Sequence, residues 1–104
     1  MELEGEVNDH GTVELAESSL EMEQDDFYFG PTFVKAEPGS TVTVDLINEG
    51  DADHTFTVEE QGIDAVLEPG GRQSVEVTVP DGGTLVFVCR FHLSQGMQGA
   101  FVAG

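Results

Sequence analysis

The chain has 104 residues, a length that suits one domain with one hydrophobic core and leaves no room for a separate substrate domain. It contains 21 acidic residues but only three lysine and arginine residues together, so the formal net charge is −18. This charge argues against nucleic acid as a partner, because nucleic-acid binding requires a basic patch, and it disfavours an anionic membrane surface. Such a surface suits high salt, which screens self-repulsion, or a partner protein of opposite charge.

The N-terminal residues 1–11 are acidic and show no regular pattern, so we predict a flexible tail there and a single domain over residues 12–104. Residues 12–23 contain a candidate first strand. Residues 26–33 then bring an aromatic cluster that is followed by Gly30-Pro31, a pair typical of a turn.

The middle of the chain contains two segments that alternate apolar and polar side chains. Residues 41–47 alternate with period two, which predicts a strand with its valines and leucine on one face. The next strand begins at His54, whose side chain shares a face with Phe56 and Val58. One histidine is therefore expected at the start of a half-buried strand.

Three further strands are predicted in the C-terminal half. Residues 73–79 alternate, residues 84–89 are apolar at successive positions as in a strand buried on both faces, and residues 99–102 close the chain. No segment of useful length has the period of a helix. Short strands separated by glycine and proline turns predict an all-β fold, an antiparallel sandwich or barrel.

Cys89 is the only cysteine, so an intramolecular disulfide is impossible. No stretch reaches transmembrane length, so we expect no membrane insertion. The first four residues lack the charged and apolar regions of a signal peptide.

The segment that carries chemistry is Cys89-Arg90-Phe91-His92-Leu93-Ser94-Gln95-Gly96-Met97. A tight loop can bring the thiolate of Cys89, the imidazole of His92 and the thioether of Met97 around one point, and a neighbouring strand can supply His54. One thiolate and two imidazoles with a weak thioether form the ligand set of blue copper, and they suit both Cu(I) and Cu(II). Zinc would recruit more cysteine, histidine or carboxylate ligands.

These residues resemble the cupredoxins of the plastocyanin and pseudoazurin type. The pattern Cys-x2-His-x4-Met-x-Gly from Cys89 is similar to their ligand loop, and Phe87-x-Cys89 is similar to the end of the strand before it. The segment from Pro38 to Phe56 is similar to the region that delivers their first histidine.

The resemblance implies an eight-stranded Greek-key sandwich with one copper held by His54, Cys89, His92 and Met97. It also implies that the backbone N–H of Thr55 donates to the thiolate sulfur. Two positions depart from the family pattern, which has asparagine where this chain has Thr55 and proline where it has Phe91. We therefore expect the side-chain hydrogen bond that pins the ligand loop to be missing or replaced.

The function that follows is transport of single electrons by a mononuclear type 1 copper protein, a monomer working outside the cytoplasm, with its export signal or anchor absent from this sequence. Redox partner proteins are expected to dock near His92, Leu93 and Phe91. Arg90 is expected to pair with a carboxylate. Two alternatives stay open: a module that delivers or stores copper, and a metal-free β-sandwich interaction domain.

An enzyme is not expected. Cys89 and His92 could act as nucleophile and base in a thiol hydrolase, but a loop at a strand end offers no oxyanion hole and the chain is too short for a substrate cleft.

Overall fold

Ten short strands in two sheets form the fold of residue 3 and residues 7–104, the part of the chain that this computed structural model describes. The strands are β1 (Thr12–Glu14), β2 (Ser19–Asp25), β3 (Tyr28–Gly30), β4 (Phe33–Ala36), β5 (Thr41–Asn48), β6 (His54–Val58), β7 (Ile63–Leu67), β8 (Arg72–Thr78), β9 (Thr84–Val88) and β10 (Gln98–Ala103). Two single-turn 3-10 segments, η1 (Glu59–Gln61) and η2 (Leu93–Gln95), interrupt them. Over these residues no helix is long and apolar enough to cross a membrane.

The six-stranded sheet has the order β1-β4-β10-β9-β6-β7, and the four-stranded sheet has the order β3-β2-β5-β8. Their inner faces share one hydrophobic core. Phe29 from the smaller sheet meets Phe56 and Phe87 from the larger sheet edge to face, with ring centroids 6.0 and 4.9 Å apart. Aromatic packing of this kind fixes how the two sheets sit on each other.

The predicted all-β sandwich is confirmed, and so are its clearest strands. β5 buries alternate residues, and β9 is buried at every position after its first, as the apolar run predicted. The number of strands is ten rather than about eight. The sheets are mixed rather than purely antiparallel, because β4 pairs in parallel with β1 and β10, and β2 pairs in parallel with β5.

Residues 12–23 contain the predicted first strand, β1, and also most of a second strand, β2. β1 joins the larger sheet and β2 the smaller one, and the chain crosses between them at residues 15–18. Backbone bonds guide the crossing: Leu15 N donates to Lys35 O at 2.7 Å, and Thr43 N donates to Ser18 O at 2.8 Å. Strands β3, β4 and β7 were not predicted. The first two are only three and four residues long, and β7 places the apolar Val66 on its exposed face, which obscures the alternation.

Residues 8–11 of the predicted tail are hydrogen-bonded to the domain. Asn8 N donates to Gly96 O at 2.9 Å, and its side-chain amide donates to Phe27 O and Gln95 O at 2.7 and 2.8 Å. His10 stacks on Tyr28 with ring centroids 3.5 Å apart. Residues 1, 2 and 4–6 lie outside the described residues, and the domain boundary at residue 11 stays a prediction.

Candidate metal centre

Cys89 follows the last residue of β9, and the loop after it turns back immediately toward Cys89. Its own N–H donates to Met97 O at 3.0 Å, and its carbonyl accepts from His92 N at 3.1 Å. Gly96, with φ of +88°, ends η2 in the left-handed conformation that glycine adopts without strain. The loop therefore places Met97 beside Cys89 in the backbone ladder, and both side chains are fully buried.

His54 enters the centre from the first position of β6. Its side chain is fully buried, and its Nδ1 lies 3.8 Å from Cys89 Sγ. His92 completes the group: His54, Cys89 and His92 each offer one ligand atom, and these atoms all lie within 4.8 Å of one another. Three of the four predicted ligands thus meet in space, and the fourth, Met97, is buried next to one of them in the same loop.

Both histidines have a hydrogen-bond acceptor at Nε2. His54 Nε2 lies 2.8 Å from Asp26 Oδ1, and His92 Nε2 lies 3.2 Å from the carbonyl oxygen of Asp53. The Asp26 carboxylate only accepts, so the neutral His54 ring carries its proton on Nε2 and keeps its lone pair on Nδ1. His92 differs, because its Nδ1 also meets an acceptor, Gln95 Oε1 at 3.0 Å, and a metal at Nδ1 would replace this contact.

Electrostatics keep the buried imidazole in its ligand form. Burial lowers the pKa of His54 from its usual value, although the bond to Asp26 acts in the opposite direction. The pKa of Asp26 is itself lowered, chiefly by the backbone N–H of Asp51 and then by the bond to His54. A neutral imidazole beside an ionised carboxylate is the arrangement that metal-binding histidines use.

The thiol of Cys89 receives the predicted backbone bond, since Thr55 N donates to Cys89 Sγ at 3.3 Å. The departure at Thr55 is compensated: its hydroxyl accepts from Arg90 N at 2.9 Å, so the ligand loop is still pinned to β6. The same hydroxyl lies 3.0 Å from Thr57 Oγ1, which donates to Asp64 Oδ1 at 2.8 Å.

Arg90 closes this network. Its guanidinium donates to both carboxylate oxygens of Asp64 at 2.9 and 3.0 Å, which confirms the predicted pairing with a carboxylate. The bonds from Arg90 and Thr57 lower the pKa of Asp64. The result is a ring of hydrogen bonds through Thr55, Thr57, Asp64 and Arg90 that runs from the buried threonines to the exposed ion pair and holds the start of the ligand loop. We call these four side chains the loop network.

Phe91 is the second position that departs from the family pattern, and 45% of its surface is exposed. The Arg90 guanidinium lies 4.9 Å from its ring centroid. His92 is half-buried, and Phe27 packs against it with ring centroids 4.5 Å apart. The sequence did not single out Asp26 or Phe27 as site residues. Phe27 was noted only as part of the aromatic cluster, and nothing in the sequence marked Asp26, because 28 positions separate it from His54.

The donor set fits a single copper ion. One cysteine sulfur and two imidazoles match the softness of Cu(I) and the nitrogen preference of Cu(II), and the sulfur already receives a backbone N–H. Two of the three donors are fully buried, so water has little access to them.

Residues 8–103 match the cupredoxin-like domain, and the chain belongs to this family. It is similar to a halocyanin of Natronomonas pharaonis, with 32% identity over 80 residues, 73% of this chain and 48% of that one. The chain thus spans about half the length of this curated relative.

Solved structures share the fold. An auracyanin from the photosynthetic bacterium Roseiflexus castenholzii has a TM-score of 0.70 at 20% identity, over 86% of this chain and 98% of that one. The metal-binding domain of the Cu(I)-exporting P-type ATPase CopA from Streptococcus pneumoniae has a TM-score of 0.72 at 13% identity, over 91% and 97% of the two chains.

Proposed function

We propose that this chain is a mononuclear type 1 copper protein that carries single electrons between redox partners outside the cytoplasm. The observation that carries the proposal is the cluster of His54, Cys89 and His92, with its ligand atoms within 4.8 Å of one another and the sulfur already hydrogen-bonded. The residues that would hold copper are both histidines through Nδ1, Cys89 through Sγ and, as a weak donor, Met97 through its thioether.

Bound copper would supply the redox chemistry by changing between Cu(I) and Cu(II). The chain's contribution is to hold the donors still. Both histidine rings are anchored at Nε2, and the loop network fixes the residue that follows Cys89. A site held in one geometry for both oxidation states needs little rearrangement when an electron moves.

The electron port is proposed at the ligand loop. His92 and Leu93 are half-buried and Phe91 is exposed, so this end of the molecule presents a small apolar surface next to a ligand. The net charge of −18 would steer a basic partner and act on the association rate more than on the docked contact. Leu93→Asp tests the port: electron exchange should slow while the copper spectrum stays the same, and unchanged exchange would place the port elsewhere.

Absorption spectroscopy tests the assignment itself. Cu(II) should turn the wild-type protein intensely blue or green, because the Cys89 thiolate transfers charge to the metal. Cys89→Ser should lack the band. The matched control is Ser94→Ala in the exposed part of the same loop, which should retain it. A Cys89→Ser protein that keeps the intense band would contradict the assignment of a type 1 copper site.

Copper delivery is the second candidate, because the metal-binding domain of a Cu(I)-exporting ATPase shares the fold. The two functions differ in kinetics. A carrier exchanges electrons quickly and retains Cu(I) against a chelator, whereas a delivery module releases Cu(I) rapidly. The metal-free alternative requires that one equivalent of copper fails to bind tightly, and the preformed donor cluster disfavours it.

A further inference from the structure

Two polar side chains near the end of β2 support the residues at the start of β6. Gln24, fully buried, donates from Nε2 to the carbonyl of Thr55 at 3.0 Å. Asp26, two positions later, places Oδ1 2.8 Å from His54 Nε2. One short segment therefore holds both the first histidine and the following residue, Thr55, whose N–H reaches Cys89.

Asp26 is itself held by the turn that precedes β6. Its Oδ2 accepts from Asp51 N at 2.9 Å, and its Oδ1 accepts from Ala52 N at 3.4 Å. Gly50 lies against the same carboxylate, and a β-carbon at that glycine would contact it and approach His54 Nε2 to 2.9 Å. The carboxylate is thus fixed by contacts that do not involve a metal.

The chemistry of this contact is specific. A carboxylate only accepts, so His54 must donate from Nε2 and present the lone pair of Nδ1 toward the sulfur 3.8 Å away. A carboxylate bound to the far nitrogen of a ligand histidine fixes the ring's tautomer and orientation and increases its basicity. Its negative charge also favours Cu(II) over Cu(I).

We propose that Asp26 is a positioning residue of the copper centre, which selects the Nδ1-ligating tautomer of His54 before metal binds and lowers the reduction potential of the bound ion. The proposal rests on the proposed function. The two parts of the proposal can be tested separately, because the tautomer of His54 is measured in the metal-free protein and the reduction potential in the copper-loaded protein.

Three variants of the full chain test it. Asp26→Ala removes both the acceptor and the charge, and Asp26→Asn removes the charge while leaving an amide oxygen that can accept from His54. Asp25→Asn is the matched control, because it removes one charge at the adjacent residue, whose carboxylate contacts Tyr28 and the Asp26 N–H instead. Circular dichroism of each metal-free variant establishes that it is folded.

Imidazole nitrogen NMR of the metal-free proteins reads the tautomer. We expect His54 to be protonated on Nε2 in wild type and Asp25→Asn and to become a mixture of tautomers in Asp26→Ala. In loaded protein, Asp26→Asn should change the ratio of Cu(I) to Cu(II) affinity by about tenfold, which raises the potential by about 59 mV for one electron. Asp26→Ala should weaken Cu(II) binding by about 10–100-fold.

Either of two results would overturn the proposal: a single Nε2–H tautomer of His54 retained in metal-free Asp26→Ala, or a potential for Asp26→Asn equal to that for Asp25→Asn. Failure of the proposed function is recognised separately. Wild-type protein would then show no copper-dependent band, while the His54 tautomer could still be measured.

Discussion

Replacing Thr55 with valine would remove one hydroxyl from the centre of the loop network and change little else. Valine has the same shape and suits a strand position, and the backbone N–H that reaches Cys89 is kept. The hydroxyl accepts from Arg90 N at 2.9 Å and lies 3.0 Å from Thr57 Oγ1, so two hydrogen bonds disappear. Thr57 retains its bond to Asp64.

The expected loss of stability follows from these two bonds. Each is worth about 0.5–1.5 kcal/mol net, and the Arg90 N–H that loses its acceptor is only partly buried, so water restores some of the loss. The free energy of unfolding should fall by about 2 kcal/mol. For a domain of about 100 residues, each kcal/mol lowers Tm by roughly 4–8 °C, which gives a decrease of about 8–16 °C.

Urea denaturation of the metal-free protein measures this loss, with Thr41→Val as control. Thr41 begins β5 and is exposed, so the same chemical change there should alter the free energy of unfolding by less than about 0.5 kcal/mol. The chemical change is the same in both variants, but only Thr55 is buried and has its hydroxyl in the loop network. If Thr55→Val is as stable as Thr41→Val, the network does not pin the ligand loop.

Three further predictions concern charge and the axial ligand. The pKa of Asp64 is lowered in the folded protein. Its contribution to stability is therefore present above the unfolded-state pKa of about 4 and is lost as the pH falls through the lower folded-state pKa. Asp64→Asn should flatten this part of the acid-unfolding curve. With a net charge of −18, the free energy of unfolding should rise from low to molar salt, where the Debye length shortens to about 3 Å, and a flat dependence would contradict adaptation to high salt. Met97→Leu should retain the copper colour and raise the reduction potential measured by voltammetry, because a weak axial donor stabilises Cu(II); an unchanged potential would argue against Met97 as a ligand.

Local patterns predicted the parts of this molecule that depend on local geometry. The alternation in residues 41–47 and the apolar run in residues 84–89 identified β5 and β9, because side chains in a strand point to opposite faces with period two. The spacing of Cys89 and His92 identified the loop, since three positions place both donors at the end of one strand. The resemblance to the cupredoxins, rather than a local pattern, implied that the N–H of Thr55 donates to the Cys89 sulfur, and it does so across 34 positions.

Contacts between segments that are distant in the sequence could not be predicted from local patterns. The parallel pairing of β2 with β5 and the division of residues 12–23 between two sheets depend on backbone bonds whose partners no periodicity identifies. Strand β4 is too short to show a pattern of its own, and in β7 the exposed Val66 breaks the alternation of apolar and polar residues.

The candidate site divides in the same way. By itself the sequence determined which donors are available: a single cysteine, and histidines and a methionine spaced as in a copper loop. Only the tertiary structure decided what surrounds them, with Asp26 behind His54 across 28 positions and the hydroxyl of Thr55 in place of the expected asparagine. The spacing of Cys89, His92 and Met97 is a property of one loop. The groups that hydrogen-bond to the ligands and to the loop come from whichever strands the packed sheets bring to that end of the molecule.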